Sequence, residues 1–180
     1  AIGEAGISNT TAAALLAHRL GPAPLADCVG PGTGLDAAGV AHKLAVAGRA
    51  AARTDATAPL DVLAEFGGYE IAMMCGAILG AASKRRPVMI DGFIAGSAAL
   101  VAIRLVPAVR DYCVFSHRSA ERGHGQMLRS LEAEPYFDLG LRLGEGTGAV
   151  LAVPLVRAAA GILNGMADLA DVLTASEAAS

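Results

Sequence analysis

Pro87-Val88-Met89-Ile90-Asp91-Gly92 is a short apolar run stopped at once by an acid and a glycine, and Tyr112-Cys113-Val114-Phe115, followed by Ser116-His117-Arg118-Ser119, repeats the pattern. Continuous apolar runs of this length read as strands buried on both faces. Between them, Phe93 to Val106 carries helical spacing and is closed by Pro107. Strand, helix and strand in that order predict a βαβ unit with parallel strands and a right-handed crossover. Ligands of such sheets gather beyond the carboxyl ends of the strands, where Asp91-Gly92 and Ser116-His117-Arg118-Ser119 lie.

Outward from this unit the pattern is helical. Asn9 or Thr10 caps an alanine-rich run to about Leu20, Gly39 to Arg53 forms another helix, and Asp61 to Phe66 and Tyr69 to Ser83 follow, divided by Gly67-Gly68. After Ser119 a helix is predicted to about Glu132, broken by Pro135. Tyr136 to Leu143 keeps helical spacing, and Ala149 to Leu169 is apolar and alanine-rich, with Pro154 in a first turn or a kink. Two strands are too few for a sheet covered by so many helices. An α/β class with an incomplete parallel sheet is therefore expected, its further strands lying outside this chain or coming from a partner.

The 180 residues are one domain's worth of material, and the start at Ala1-Ile2-Gly3-Glu4 without methionine reads as a fragment or a trimmed product. With 14 basic and 17 acidic residues the net charge is -3, which builds no basic field for nucleic acid or an anionic membrane. The cationic run Lys84-Arg85-Arg86 ends an apolar helix, where cations complement the helix dipole. Hydrophobic residues make up 54% of the chain, yet no uncharged stretch reaches the roughly 18 residues of a membrane span. Ile71 to Ser83 and Gly92 to Ile103 come nearest and read as helices packed on a sheet. Cys28, Cys75 and Cys113 are odd in number and suit free thiols in a reducing cytoplasm. His18, His42, His117 and His124 lack metal-ligand spacing, so no metal is expected.

Arg142-Leu143-Gly144-Glu145-Gly146-Thr147-Gly148-Ala149 sets one carboxylate among three glycines and small or apolar neighbours. Glycine permits positive φ and close approach to a ligand, and apolar surroundings make a carboxylate a better base. Glu145 is thus a candidate proton acceptor. Gly3-Glu4-Ala5-Gly6-Ile7-Ser8-Asn9-Thr10-Thr11 opens a helix with small residues, an arrangement that suits a phosphate or an ordinary N-cap. Gly30-Pro31-Gly32-Thr33-Gly34 repeats it before a helix carrying Lys43, which either supplies charge to a phosphate or is simply solvated. Asp91 reads as a holder of sugar hydroxyls or as a helix N-cap. Ser119 and Glu121 form a possible local capping pair, and His117 orients a loop or acts as acid or base. Gly144-x-Gly146-x-x-Ala149 meets a dinucleotide fingerprint in letters, but the helical spacing of Tyr136 to Leu143 denies it the required strand. No G-x-S-x-G elbow is present.

Six segments taken in order carry a specific resemblance: Gly3-Glu4-x-Gly6-Ile7-x-Asn9-Thr10-Thr11, Val29-Gly30-x-Gly32 with Lys43, Asp91-Gly92-Phe93, Ser116-His117-x-Ser119-Ala120-Glu121, Glu134-Pro135-Tyr136, and Arg142-Leu143-Gly144-Glu145-Gly146. The chain resembles the C-terminal half of the nicotinate-nucleotide:dimethylbenzimidazole phosphoribosyltransferase family of cobalamin biosynthesis. That resemblance implies a Rossmann-like parallel sheet flanked by helices, incomplete here, with residues 1–148 a partial α/β catalytic domain. Residues 149–180 would be a C-terminal helical segment of a smaller helical domain. It also implies a homodimer, the missing N-terminal half supplying strands and much of the aromatic-base pocket; no cofactor is expected.

The implied reaction moves a phosphoribosyl group from nicotinate mononucleotide to dimethylbenzimidazole, giving α-ribazole phosphate and nicotinate. By resemblance Glu145 is the catalytic base, and Glu4 and Asp91 lie near the ribose. Lys43, Ser119 and the backbone of the glycine segments, with Gly6, Asn9, Gly32, Gly144 and Gly146 among the matched binding positions, surround the phosphate and ribose. Leu143 lines the aromatic pocket. Ser8 stands where the family usually has glycine and Ala5 where methionine is common, so the backbone path there is expected to differ. The alternative expectation is a truncated, non-catalytic fragment that binds a nucleotide or a partner chain.

Overall fold

The two apolar runs are strands. In the computed structural model, which describes residues 1–170 and Thr174, β1 (Val88–Ile90) and β2 (Cys113–Phe115) pair in parallel, Val88 opposite Cys113 and Ile90 opposite Phe115. Before them come α1 (Asn9–Leu20), α2 (Leu25–Cys28), α3 (Ala37–Ala51), α4 (Pro59–Phe66) and α5 (Tyr69–Ser83). The strands are linked by α6 (Phe93–Leu105) and a 3-10 turn (Pro107–Tyr112), and α7 (Arg122–Ser130) and α8 (Thr147–Gly165) follow. The result is mostly helical around a small parallel sheet, an incomplete α/β fold.

Single residues extend the sheet on both sides. Ile2 bridges Ile90 in parallel, its N–H donating to the Met89 carbonyl at 2.9 Å, and Phe137 bridges His117 in parallel. The stretch around Phe137, expected to be helical, is therefore extended along the open edge of β2. Tyr136 N–H donates to the Phe115 carbonyl at 3.2 Å, Phe137 N–H to the Ser116 carbonyl at 3.1 Å, and Arg118 N–H to the Phe137 carbonyl at 2.7 Å. A strand edge offers unpaired backbone groups that must find partners, and this outweighs a weak apolar spacing preceded by Pro135.

Alternation along the strands separates two layers. Val88, Ile90, Cys113 and Phe115 face the main core, while Met89 and Val114 face the other side, where Ala149 and Ala152 of α8 pack with Phe137. At the centre of the main core, α6 is buried at every position from Phe93 to Ile103, as a helix apolar on all sides must be. Its small residues Gly96, Ser97, Ala98 and Ala99 fit between α1, α4, α5 and α7.

Helix limits follow their caps. α5 spans the predicted Tyr69–Ser83, whereas α3 starts two residues earlier than expected because the Asp36 carboxylate accepts the Gly39 N–H at 2.8 Å. α1 is capped at Ser8, not at Asn9 or Thr10, and Ser8 makes no side-chain cap bond. α7 ends at Ser130, short of Glu132, whose φ of 52° is left-handed and non-helical. α8 begins at Thr147, so it crosses the expected 148/149 division and carries Pro154 in its interior, not in its first turn. Of the expected segment 149–180, residues 171–173 and 175–180 lie outside the described residues.

Length and composition alone make α8 able to cross a membrane, and only 17% of its apolar window is buried. This corrects the expectation that Ile71 to Ser83 and Gly92 to Ile103 come nearest to a span. That expectation counted uncharged residues, and Arg157 interrupts the run in α8. Val150, Leu155, Ile162 and Leu163 are exposed on it.

Candidate functional site

The carboxyl ends of β1 and β2 open onto a cavity of about 580 Å³, within the roughly 300–1,000 Å³ usual for small-molecule sites. Its walls are the segment leading into α1, the Gly32-Thr33 loop, Asp91 to Ala95 after β1, and Arg142 to Glu145 before α8. His117, Ser119 and Glu121 enter from the chain after β2. Among the residues singled out from sequence, Lys43 and Gly146 stand one layer behind the wall, while Glu4, Gly6, Asn9, Gly32, Asp91, Ser119, Leu143, Gly144 and Glu145 line it.

Glu145 stands at the cavity mouth on a turn with three successive left-handed residues, Gly144 at φ 81°, Glu145 at 58° and Gly146 at 82°. The glycines take this conformation freely, but Glu145 holds it at a cost of about 1 kcal/mol. Contacts from the chain before α1 help to enforce it. The Glu145 N–H donates to the Glu4 carbonyl at 3.0 Å, and Gly3 packs so closely that a Cβ there would lie 2.2 Å from the Gly146 nitrogen. The apolar enclosure expected around Glu145 is not formed by this chain: Glu145 is exposed and Leu143 is 67% exposed. Its glycine neighbours shape the backbone without burying the side chain.

Asp91 is 2% exposed. Its Oδ2 accepts the Gly146 N–H at 3.0 Å, and its Oδ1 accepts the N–H groups of Gly148 at 2.8 Å and Ala149 at 3.2 Å. It is a helix cap, but for α8, far along the chain, not for α6, whose cap is Gly92. These bonds also bear on the dinucleotide fingerprint. The segment around Phe137 is extended through a single bridge and is not the strand that the fingerprint needs before Gly144, and the α8 amides that would hold a pyrophosphate are occupied by Asp91.

At the entrance to α1, the half-buried Glu4 accepts the Asn9 Nδ2–H at 2.6 Å. Gly6 lies directly over this pair, where a Cβ would meet Asn9 Nδ2 at 2.3 Å. Ser8 adopts φ 72°, the left-handed conformation that glycine takes without strain.

Lys43 is 9% exposed, which rules out the solvated alternative. Its Nζ donates to Thr10 Oγ1 at 2.7 Å and to the Gly30 carbonyl at 3.0 Å. Burial lowers the pKa of its ammonium, and the Glu121 carboxylate opposes that shift. Ser119 and Glu121 are joined locally, the Glu121 N–H donating to Ser119 Oγ at 3.3 Å, but they do not cap the next helix as expected: Glu121 is the N-cap of α7 and makes no side-chain cap bond. The Glu121 side chain does more than sequence suggested. Its Oε2 accepts the Gly32 N–H at 3.3 Å, its Oε1 lies 3.6 Å from Arg142 Nη2, and Arg142 also donates to the Gly32 carbonyl. Glu121 and Arg142 thus hold the Gly30 to Gly34 loop, a role with no local signal because the partners are distant in sequence.

His117 is 1% exposed, with Nδ1 at 3.2 Å from Ser116 Oγ and 3.7 Å from Asp91 Oδ1. Ser116 Oγ donates to the carbonyl of Ile90 or Asp91, both at 2.8 Å, which leaves it a lone pair for an Nδ1–H. Nε2 is then an acceptor beside Gly92. Burial lowers the His117 pKa, against the pull of Asp91. Behind it, His124 accepts the Ser119 N–H at Nδ1 (2.9 Å), so its proton sits on the buried Nε2. Burial first, then His117 and Arg118, push its pKa down to about 3.

Cys28, Cys75 and Cys113 are free and buried, and burial first pushes Cys28 and Cys113 up to about 11, so neither is a ready thiolate. Among the described residues no group of three or more His, Cys, Asp or Glu side chains could hold a metal ion.

Known proteins resemble this chain over most of its length. The family model DBI_PRT, described as phosphoribosyltransferase, matches residues 1–172. A protein of Cupriavidus necator named nicotinate-nucleotide–dimethylbenzimidazole phosphoribosyltransferase is 59% identical over 177 residues, covering 97% of this chain and 51% of that protein. A protein of the same name from Dechloromonas aromatica is 58% identical over 172 residues, 92% of this chain and 49% of the relative. The crystal structure of CobT from Thermus thermophilus superposes with a TM-score of 0.86 at 44% identity, over 90% of this chain and 49% of that one. The chain spans about half the length of the relatives it matches.

Proposed function

This chain belongs to the phosphoribosyltransferase family whose model spans residues 1–172, and we propose that it forms the catalytic half of an enzyme that moves phosphoribosyl from nicotinate mononucleotide to dimethylbenzimidazole. The products are α-ribazole phosphate and nicotinate. The observation that carries the reading is Glu145, presented at the cavity mouth on a left-handed turn beside Glu4 and Leu143.

The chemistry asks little of the leaving group, because nicotinate is bound through a cationic ring nitrogen. A ring nitrogen of the benzimidazole forms the bond to the anomeric carbon while the old glycosidic bond breaks and its electron pair returns to nicotinate. Attack from the opposite face turns β into α. The N–H proton of the attacking ring passes to the Glu145 carboxylate. Leu143 offers apolar surface to that ring, and Glu4 faces the ribose. Ser119, the Gly32 loop and the Lys43–Thr10 pair receive the phosphate. Holding rings and phosphate in line supplies much of the remaining acceleration.

In the full-length polypeptide, Glu145→Gln should slow formation of α-ribazole phosphate by about 10²–10⁴-fold, the usual worth of a general base. Near-normal turnover would remove Glu145 from the reaction. The reading includes a homodimer working in the cytoplasm, in keeping with the free thiols. A second reading, in which these 180 residues bind ligand without catalysis, is favoured by the exposure of Glu145 and of the apolar face of α8. Titrating the chain with nicotinate mononucleotide separates the two: binding without nicotinate release supports the second, and release in the presence of dimethylbenzimidazole refutes it.

A further inference from the structure

We propose that Asp91 is the positioning residue of the base, fixing the left-handed turn that carries Glu145, and that this task, not contact with the sugar, is what its carboxylate does. The proposal rests on the reading of Glu145 as proton acceptor. Asp91 follows directly on β1 at its carboxyl end and is almost wholly buried. Both of its oxygens are engaged by backbone: Oδ2 by Gly146 at 3.0 Å, Oδ1 by Gly148 at 2.8 Å and Ala149 at 3.2 Å. The Gly146 amide is the peptide unit immediately after Glu145.

The turn needs such a hold. Gly144, Glu145 and Gly146 all have positive φ, and a glycine-flanked loop relaxes easily unless something over-determines it. On the other side of Glu145 the hold is the Glu4 carbonyl, which accepts the Glu145 N–H at 3.0 Å. Glu145 is thus pinned between the chain that precedes α1 and the end of β1. A carboxylate that accepts the N–H groups of the first turn of α8 also complements that helix's dipole, which adds to the hold where the helix begins. His117 closes the arrangement: its Nδ1 is 3.7 Å from Asp91 Oδ1, and Gly148 packs so tightly on the ring that a Cβ would lie 2.0 Å from Nδ1.

Asparagine at this position makes a selective test. Three N–H groups face the two oxygens, and an amide has only one oxygen to offer. The rotamer that keeps two bonds leaves its oxygen on Gly148 and Ala149 and turns its NH₂ against the Gly146 N–H. The bond lost is the one beside Glu145.

In the full-length enzyme, Asp91→Asn should lower kcat on the order of 10²-fold, the usual consequence of a misplaced reacting group, while KM for nicotinate mononucleotide stays at the wild-type level. Because Asp91 acts only through Glu145, the double variant Asp91→Asn/Glu145→Gln should be no slower than Glu145→Gln alone. Hydrogen exchange should show the Gly146 amide opened, with α6 and β1 still protected. A raised KM with kcat retained, or rate losses that multiply in the double variant, would overturn the proposal and return Asp91 to the sugar. Should Asp91→Asn fail to fold, Gly146→Ala loosens the same turn from behind the cavity wall and should show the same loss in kcat alone; unchanged kcat there would also overturn it. Near-normal turnover of Glu145→Gln would instead remove the base assignment itself.

Discussion

Two non-glycine residues at the site, Ser8 and Glu145, hold left-handed backbone. At Glu145 the strained position carries the side chain that the proposed reaction needs. At Ser8 no such return is visible, since its hydroxyl makes no cap bond to α1 and the residue is exposed. Ser8→Gly should therefore relieve the roughly 1 kcal/mol cost of left-handed backbone, less the entropy that glycine adds to the unfolded chain. A net gain of about 0.5 kcal/mol in urea-unfolding stability is expected; a loss would mean that the serine hydroxyl is engaged. In the sequence this stretch read as small residues opening a helix, for a phosphate or as an ordinary N-cap. That serine itself would take the left-handed conformation was invisible, because propensity argues against it.

Among the elements, α8 shows most directly how local preference yields to packing. Gly148 lies in its first turn, where alanine would favour the helix by about 1 kcal/mol. Yet a Cβ at Gly148 would lie 2.0 Å from His117 Nδ1, and His117 is buried and boxed by Ser116 and Asp91. Overpacking of this kind costs about 1–3 kcal/mol, so Gly148→Ala should destabilise the protein despite its better propensity. Thermal unfolding measures the sign directly. The strands, α5 and α6 were legible as elements because their apolar periods are strong. The stretch around Phe137 was not, since its extended form depends on the free edge of β2, which no local pattern records.

Across the whole molecule, the two histidines beneath the sheet end tie stability to pH. The His124 pKa is pushed from the ordinary 6.5 down to about 3, and that of His117 is also lowered, in each case by burial first. A base whose pKa is lowered on folding binds fewer protons folded than unfolded, so its contribution is complete above pH 6.5 and drains away as the pH falls toward 3. For His124 the slope is roughly 1.4 kcal/mol per pH unit within that window. A His124→Gln variant should show a flatter acid limb in denaturant midpoints measured from about pH 7 to about pH 4, leaving the share due to His117. Equal slopes in variant and parent would mean that His124 titrates normally when folded. On the same scale, α8 meets the sheet through Ala149 and Ala152, with Val153 and Val156 packed beside them, and leaves Val150, Leu155, Ile162 and Leu163 exposed.

What the sequence determined by itself was local or strongly periodic: the parallel βαβ unit, most of the helices, and the glycine-flanked carboxylate at Glu145. Motifs in order also sufficed to point to the family. What only the tertiary structure decided was where the polar groups spend their hydrogen bonds. Asp91 turned out to cap α8 instead of α6, Lys43 to be buried against Thr10 and Gly30, Glu121 and Arg142 to hold the Gly32 loop, and Glu145 to stand in the open. The physical reason is range. A period or a turn is written in neighbouring residues, whereas a buried polar group takes whatever donor or acceptor the fold brings beside it, and for Asp91 those donors lie more than fifty residues away.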